Sequence, residues 1–388
     1  MDRECHYALV SQQLDCFYPS IQRQLLDHCS GYVDIFEQPL NHYPKDLHPL
    51  LDNLRDQYHR NLWRPAIERI EQHTAHSGVR IIPITSPDYP DPLRQIIGAP
   101  CLLYVRGNVE NLHLPQIAVV GSRRMTRGGA DNAWAWSRYL AAGGFVITSG
   151  LAHGIDGAAH RGALEGNGKT IAVMATGIDA IYPRAHLALA EQILDQGGTL
   201  ITEFEPSTQP LAANFPSRNR IISGLSLGVL VVEAALRSGS LITARYAAEQ
   251  DREVFAIPGS IHNPQSRGCH HLIKQGAHLV ERVEEIVDEI GGALSGLANS
   301  AARGTKVQPE LAFEFDSASH PALDSSTPQQ SLKTDEESLL QLLGYEPVDM
   351  DKLAADGTFS VADLSRLLVS LEIKGLIESR NGVYQRLR

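Results

Sequence analysis

The chain has 388 residues, of which 43% are hydrophobic and 20% are charged; this balance is typical of a globular protein and argues against a disordered one. No apolar run approaches the roughly 18 residues that a membrane span needs, and the first residues lack the pattern of a signal peptide. The five cysteines are scattered and form no Cys-x-x-Cys pair. Their spacing excludes a disulfide framework or a zinc ribbon and predicts a cytoplasmic protein.

The net charge of −11 argues against a polyanion partner until its distribution is considered. Residues 78–290 hold 18 cationic and 20 acidic side chains, and one arginine and five of the acids fall within Glu281–Glu289. The rest of this middle segment therefore carries a charge of +2, and arginine supplies 16 of the 18 cations in 78–290. Because the planar guanidinium matches a phosphate, the middle of the chain is suited to phosphate binding.

Residues 1–77 are predicted to form a small helical domain. Segments such as Ile21–Cys29 and Leu50–His73 have apolar residues at three- and four-residue spacing, with few β-branched residues, which is typical of amphipathic helices. This pattern is found both in short helical DNA-binding modules and in plain helical bundles. Nothing in this segment marks a catalytic site, and of these two alternatives we favour the plain bundle.

Residues 78–290 are predicted to form a Rossmann-like, doubly wound α/β domain. Short apolar runs alternate with helical patterns, which is the signature of a mostly parallel sheet covered on both faces. Two earlier runs, Val79–Ile84 and Cys101–Val105, are expected to extend the sheet. The principal runs are Ile117–Val120, Phe145–Thr148, Thr170–Ala175, Thr199–Thr202, Gly228–Val232 and Val254–Ile257.

The C-terminal quarter is predicted to be a flexible linker, residues 291–331, followed by a winged-helix-like domain, residues 332–388. The linker is rich in Gly, Ser, Ala and Pro, and the domain has a strong helix pattern over Ser360–Gly375 with Ser360 as its N-cap. Asn381-Gly382 then marks a hairpin. Since that helix carries as many acids as cations, we interpret the domain as a protein-contact or structural module rather than a DNA reader.

The first predicted parallel strand ends in Gly121-Ser122-Arg123-Arg124. Glycine at a strand-to-helix turn lets backbone N–H groups approach an anion, and the helix N-terminus adds a partial positive charge. Two arginines and a hydroxyl beside such a turn predict a phosphate site; the alternative is a tight turn with solvated arginines. The spacing is not the G-x-G-x-x-G of dinucleotide-binding proteins. A second glycine-containing turn, Ser149–Asp156, follows the next strand, and there Asp156 is expected to cap a helix.

A third segment, Asn214–Ile222, is predicted to be a polar loop presenting Phe215, Arg218, Asn219 and Arg220 just before a helix. Arginines hold phosphates and an aromatic ring stacks on a base, so this combination indicates single-stranded nucleic acid. Burial of Phe215 against the helix is an equal alternative. A small-residue turn, Ser238-Gly239-Ser240, follows a later strand and offers further phosphate donors.

Several catalytic signatures are missing. Gly168-Lys169-Thr170 resembles the end of a Walker A motif, but it precedes a strand and has Ala163 where the motif needs glycine. The histidines of the middle segment, His153, His160, His262, His270 and His271, have no two-ligand helical spacing such as H-E-x-x-H. No nucleophile elbow is present. We therefore predict no metal, no cofactor and no catalytic residue.

Taken together and in order, these motifs resemble those of the bacterial DprA (Smf) family of DNA-processing proteins. The resemblance is strong over residues 80–290 and weak in the flanking domains. It rests on Gly121-Ser122-Arg123, Ser149-Gly150-x-Ala152-x-Gly154-Ile155-Asp156, Phe215-Pro216-x-Arg218-Asn219-Arg220-Ile221-Ile222, Ser238-Gly239-Ser240-Leu241-x-Thr243-Ala244, Val254-Phe255-Ala256-Ile257-Pro258-Gly259 and Leu272-Ile273-x-x-Gly276-Ala277.

The resemblance implies a non-enzymatic homodimer that binds single-stranded DNA, protects incoming DNA during natural transformation and loads the RecA recombinase. It also implies a SAM-like N-terminal domain. Two positions depart from the family pattern, since His186 and His270 stand where asparagines are usual. The implied DNA-binding residues are Gly121, Ser122, Arg123, Arg124, Ser149, Gly150, Phe215, Arg218, Asn219, Arg220, Ser238, Gly239 and Ser240.

Two alternatives remain at this point. The fold is similar to that of phosphoribohydrolases with the motif P-G-G-x-G-T-x-x-E, but Tyr246 stands where the motif has its glutamate, so the group that would help break the glycosidic bond is missing. The other alternative is a RecA-contact scaffold with incidental DNA affinity. The DNA-binding hypothesis requires the guanidinium groups of Arg123, Arg218 and Arg220 to gather along one edge of the sheet.

Overall fold

The computed structural model describes residues 2–291, apart from 15, 16, 18, 62 and 76, and parts of 336–386. It divides into two compact units, Met1–Phe313 and Glu314–Arg388. The predicted linker lies almost entirely outside the described residues, as do Gly375 and the hairpin turn at residues 381–382. Among the described residues, no helix is both long and apolar enough to cross a bilayer.

The first unit is built on a nine-stranded sheet in the order β1-β2-β6-β5-β4-β3-β7-β8-β9. Strands β3 to β9 run parallel, whereas β1 and β2 pair antiparallel and join the sheet through β6. The predicted fold class and its two extra strands are thereby confirmed. The strands are β1 (Val79–Pro83), β2 (Leu102–Gly107), β3 (Gln116–Val120), β4 (Val146–Ser149), β5 (Thr170–Val173), β6 (Thr199–Thr202), β7 (Gly228–Val231), β8 (Glu253–Ala256) and β9 (His278–Leu279).

Helices cover both faces of the sheet because alternate side chains of each strand point to opposite sides. In β3, Ile117 and Val119 belong to one buried core, and Ala118 and Val120 belong to the other. The helices that follow β1 in the chain are α6 (Asp91–Arg94), α7 (Arg127–Ala142), α8 (Ile155–Glu165), α9 (Leu187–Asp195), α10 (Asn214–Leu225), α11 (Ser240–Glu249), α12 (Arg267–Lys274) and α13 (284–291). Of these, α7 and α8 pack on the first face, and α10 and α11 pack on the second.

The N-terminal segment is helical, as its apolar spacing predicts. Its helices share a buried core with the sheet, since Tyr32 and Leu51 join the same apolar cluster as Leu102 and Tyr104 of β2. The boundary at residue 77 therefore separates helices from strands within one compact unit, and its status as a domain boundary stays a prediction. The helices are α1 (Arg3–Gln12), α2 (Pro19–Leu26), α3 (Tyr32–Glu37), α4 (His48–His59) and α5 (Arg64–Thr74).

The second unit contains helix α14 (Val361–Ile373) and the strands β10 (Val348–Asp349), β11 (Ile377–Arg380) and β12 (Val383–Arg386). The strands form a small sheet in the order β10-β12-β11. The predicted N-cap is confirmed, because the Ser360 side chain accepts a hydrogen bond from the Asp363 amide. Four leucines of α14 pack into a core with Ile377. The role of this unit as a contact module stays a prediction.

Candidate functional site

The candidate residues meet at the carboxyl edge of the parallel sheet. Strands β5, β4 and β3 are neighbours, and the chain reverses its winding direction between β3 and β7. Open α/β sheets bind ligands outside the carboxyl ends of their strands near such a reversal. The turns that follow β3, β4 and β5 therefore border one surface.

An acidic side chain, Glu233, anchors the turn after β3. Its carboxylate accepts hydrogen bonds from the Thr126 amide at 2.9 Å and the Thr126 hydroxyl at 2.6 Å, and its carbonyl accepts from the Ser122 amide at 2.7 Å. Thr126 caps α7 by accepting from the Gly129 amide. A phosphate at this helix N-terminus would meet a carboxylate. The side chains of Arg123 and Arg124 are exposed cationic groups of this turn that lie outside these hydrogen bonds.

A second carboxylate, Asp156, fills the turn after β4. It accepts from the Gly150 amide at 3.1 Å and from the Ala152 amide at 3.3 Å. The predicted capping role is wrong in detail, because the N-cap of α8 is Gly154, at φ +81°, and Asp156 lies within the helix. Asp156 is bonded to the turn that precedes the cap. Burial raises the pKa of this carboxyl, and the charge of Arg218 opposes the shift.

The segment Asn214–Ile222 is not the predicted loop, because α10 begins at Asn214. Arg218 is 3% exposed, and its guanidinium donates to the Gly150 carbonyl at 2.7 Å and to the Val173 carbonyl. Burial lowers the pKa of Arg218 to about 10, and the charge of Asp156 opposes this shift. The group therefore remains charged at neutral pH. From beneath the surface, Arg218 thus links the carboxyl ends of β4 and β5 through hydrogen bonds.

Arg220 lies apart from the other two arginines. Its guanidinium forms a bidentate ion pair with Glu203 just beyond β6, with N–O distances of 2.6 and 2.7 Å. Both side chains are about 15% exposed. Of the three guanidinium groups expected to gather along one edge, Arg123 is exposed there and Arg218 is buried beneath it, whereas the charge of Arg220 is compensated by Glu203.

The open part of the edge is a depression that we call the aromatic depression. The Arg123 guanidinium carbon lies 5.2 Å from the centre of the Phe215 ring, and the Tyr182 ring meets Phe215 edge-on at 5.6 Å. No carboxylate among the described residues forms an ion pair with Arg123 or Arg124. The residues that line the depression include Arg123, Gly150, His153, Ala175, Tyr182 and Phe215.

Sequence reasoning missed Tyr182 and His153 as members of this site. Tyr182 is 45% exposed and follows β5, and His153 is an exposed residue of the turn after β4. Their positions just beyond the carboxyl ends of two predicted strands were the available signal.

The remaining predicted residues lie beside the depression or beneath it. Ser149 is fully buried and donates to the Val119 carbonyl at 2.6 Å, so its role is structural. Asn219 donates to the Gly239 carbonyl at 3.3 Å, and the hydroxyls of Ser238 and Ser240 are 2.7 Å apart. The turn Ser238-Gly239-Ser240 is thus attached to α10, and its exposed glycine leaves the backbone accessible.

A carboxylate–imidazole–carboxylate group lies at the β8–β9 side of the sheet. The donor atoms of Glu253, His278 and Glu289 are within 4.8 Å of one another, and none of the three side chains is buried. His278 faces Glu253 at 3.0 Å. Such surface groups are common without an ion, and the absence of a metal stays a prediction. The unusual His270 bonds the Gly259 carbonyl at 3.0 Å, away from the depression.

Comparison with known proteins supports the assignment suggested by these motifs. Residues 80–291 match the family described as DNA recombination-mediator protein A, and residues 324–382 match the DprA winged helix domain. Protein Smf of Escherichia coli K12 is 45% identical over 319 residues, which cover 82% of this chain and 79% of that protein. DNA processing protein DprA of Streptococcus pneumoniae is 49% identical over 201 residues, which cover 52% of this chain and 71% of that protein.

Two solved structures share the architecture. DNA processing protein A from S. pneumoniae superposes with a TM-score of 0.54 at 41% identity, covering 62% of this chain and 82% of that one. The Helicobacter pylori protein, whose structure was reported for its single-stranded DNA binding mode, gives a TM-score of 0.51 at 28% identity, covering 56% and 98%. With its sheet, its winged-helix unit and its relatives in agreement, this chain belongs to the DprA (Smf) family of DNA recombination mediators.

Proposed function

We propose that this chain binds single-stranded DNA at the aromatic depression without reading a base sequence. The observation that carries the proposal is the Arg123–Phe215 pair, an exposed guanidinium stacked on a half-buried ring and free of any carboxylate ion pair among the described residues. Such a pair offers a phosphate ligand and a stacking surface side by side. Because stacking on Phe215 or Tyr182 requires an unpaired base, the site favours single strands over duplex.

Each part of the edge has its own role in this proposal. Arg123 and Arg124 contact the phosphates, together with the exposed backbone of the turn Ser238-Gly239-Ser240. Phe215 and Tyr182 stack on a base. Buried Arg218, with Asn219 beside it, supports the surface from below through the Gly150 and Gly239 carbonyls. Gly121, Ser122, Ser149 and Gly150 shape the turns.

The test is binding of a labelled dT oligonucleotide by single-residue variants. Arg123→Ala and Phe215→Ala are each expected to weaken binding by about 1–3 kcal/mol, the scale of a charge-assisted contact and of base stacking. Arg138→Ala is the matched control, because Arg138 is also an exposed guanidinium stacked on an aromatic ring, at 5.5 Å from Trp134 on α7. Wild-type affinity in both site variants would refute the assignment.

Salt dependence gives a second measurement. Each phosphate contact to a single strand contributes about −0.7 to the slope of log affinity against log salt concentration. Arg123→Ala is therefore expected to reduce the slope by about that amount, whereas Phe215→Ala lowers affinity with the slope unchanged. Equal slopes in wild type and Arg123→Ala would exclude a phosphate contact at this side chain.

The finer family functions are part of the same proposal. They comprise loading of RecA during natural transformation, a homodimeric state, a cytoplasmic location and a non-enzymatic role, with domains at 1–77, 78–290 and 332–388 and a linker at 291–331. Two modest sites on one dimer would reinforce each other through effective concentration. Light scattering tests the dimer, and strand exchange by RecA on DNA coated with a single-strand-binding protein tests loading.

The hydrolase alternative gains nothing from the geometry. None of the side chains lining the aromatic depression carries a carboxylate, and the nearby acids Asp156 and Glu233 are hydrogen-bonded to backbone amides. Release of a base from nucleoside monophosphates, abolished by Arg123→Ala, would reinstate this alternative.

A further inference from the structure

The turn that forms the floor of the aromatic depression contains a residue in a costly backbone conformation. Leu151 has φ +57° and is fully buried. A non-glycine residue in the left-handed region costs of the order of 1–2 kcal/mol and persists only where neighbouring contacts impose it. The same turn holds the site together, because the adjacent Gly150 carbonyl accepts from Arg218 and the Gly150 and Ala152 amides donate to Asp156.

One side chain contacts the strained residue directly. His186 is 6% exposed, and its Nδ1 lies 2.8 Å from the Leu151 carbonyl oxygen. A carbonyl oxygen only accepts, so Nδ1 must carry the proton and donate. Burial lowers the pKa of His186, and Arg161 and His153 act in the same direction, while the Leu151 carbonyl and Asp156 oppose the shift. The lowered pKa favours the neutral ring, and in that form the hydrogen bond places its single proton on Nδ1.

The surroundings of His186 fit an imidazole at this position. A Cβ built on Gly157, in the first turn of α8, would lie 2.8 Å from His186 Cε1, so glycine makes room for the ring. On its other side the His153 ring, which lines the depression, packs edge-on at 5.1 Å. His186 is thus enclosed between the site turn, α8 and a residue of the site.

We propose that His186 is a positioning residue for the DNA-binding edge: its Nδ1–H holds the Leu151 carbonyl, and the turn so fixed presents the Gly150 carbonyl to Arg218. The binding part of this inference rests on the proposed function. The hydrogen bond does not depend on it. The turn requires a buried side-chain N–H group that reaches the Leu151 carbonyl. The Nδ2–H of an asparagine at position 186 would also supply one.

Three variants test the inference. His186→Asn keeps a donor at similar reach and is expected to match wild type. His186→Leu keeps apolar volume without a donor and is expected to bind a dT oligonucleotide roughly tenfold more weakly, the scale of one buried hydrogen bond. His160→Leu is the control, because it removes a fully buried imidazole of α8 whose hydrogen-bond partner is the Thr170 hydroxyl, at 2.7 Å, and not the Leu151 carbonyl. It is expected to lower stability and leave affinity unchanged.

Hydrogen exchange of the Gly150 and Ala152 amides supplies a readout that needs no DNA. Protection of these two amides is expected to fall in His186→Leu, relative to the sheet, and to persist in the other two variants. If wild type does not bind DNA, the proposed function fails and the exchange data alone decide the role of His186. The inference is overturned if His186→Leu keeps wild-type protection, or if His186→Asn loses as much as His186→Leu. Should His186→Leu not fold, His186→Asn must still match wild type in both measurements.

Discussion

Replacement of Arg218 by methionine separates a supporting role from a direct DNA contact. The guanidinium donates to the carbonyls of Gly150 and Val173, at the ends of two neighbouring strands, and is 3% exposed. Methionine has a similar length and no donor. The substitution therefore leaves both carbonyls without this partner and leaves buried Asp156 without the positive charge that opposes its raised pKa.

The expected loss in the free energy of unfolding is about 3–5 kcal/mol, the range for removing one partner of a buried charged group. Methionine carries no charge, so the variant avoids the cost of removing a guanidinium from water. The expected loss therefore lies toward the lower end of this range. Arg123→Met is the comparison, because Arg123 is exposed and stacked on Phe215; its effect on stability is expected to stay within about 0.5 kcal/mol.

Urea denaturation followed by circular dichroism measures both stabilities, and dT oligonucleotide binding is measured on the same samples. Arg218→Met should lose stability and affinity together, whereas Arg123→Met should lose affinity alone. The reasoning is refuted if Arg218→Met retains wild-type stability while losing DNA binding. Arg218 would then be the direct phosphate ligand that the sequence suggested.

Three further predictions concern the same unit. Gly154→Ala should be more destabilising than Gly276→Ala, since both glycines have positive φ but only at Gly154 would the new Cβ meet backbone, 2.2 Å from a carbonyl oxygen; equal losses in urea denaturation would contradict this. Arg220→Ala should lower stability by about 1–3 kcal/mol by leaving Glu203 unpaired, with DNA affinity unchanged; a loss of affinity would make Arg220 a ligand. Burial lowers the pKa of His160 to about 3, below its unfolded value, so the unfolded state binds the extra proton as pH falls. Because of this group, the free energy of unfolding should fall by about 2 kcal/mol from pH 7 to pH 5. His160→Leu should lack this part of the pH dependence.

The fold was largely predictable because parallel strands buried on both faces are apolar along their whole length. Every residue of β3 is buried, and its last four residues, Ile117–Val120, are all apolar, so the run is visible in the sequence. The same local reasoning located the turns at the carboxyl edge, since each predicted strand ends in a glycine- or serine-containing segment.

The chemistry of the individual side chains was less predictable. Arg218 and Arg220 are two residues apart on one helix, yet one is buried beneath the edge and the other is paired with Glu203. Which of these environments an arginine meets depends on contacts distant in sequence. Glu233 went unnoticed for the same reason, because its partner Thr126 is 107 residues away.

The two internal carboxylates explain where the site lies. In sheets of this topology an anion commonly binds at the helix N-terminus beside the reversal point. Here Glu233 and Asp156 take the backbone donors of the turns after β3 and β4, and their charge opposes a phosphate at those positions. The groups left exposed at this edge are the side chains of Arg123 and Arg124, beside the rings of Tyr182, beyond β5, and Phe215, at the start of α10. Under the proposed function, these internal anions disfavour one small phosphate ligand in the turns, and an extended strand would lie on the exposed side chains instead.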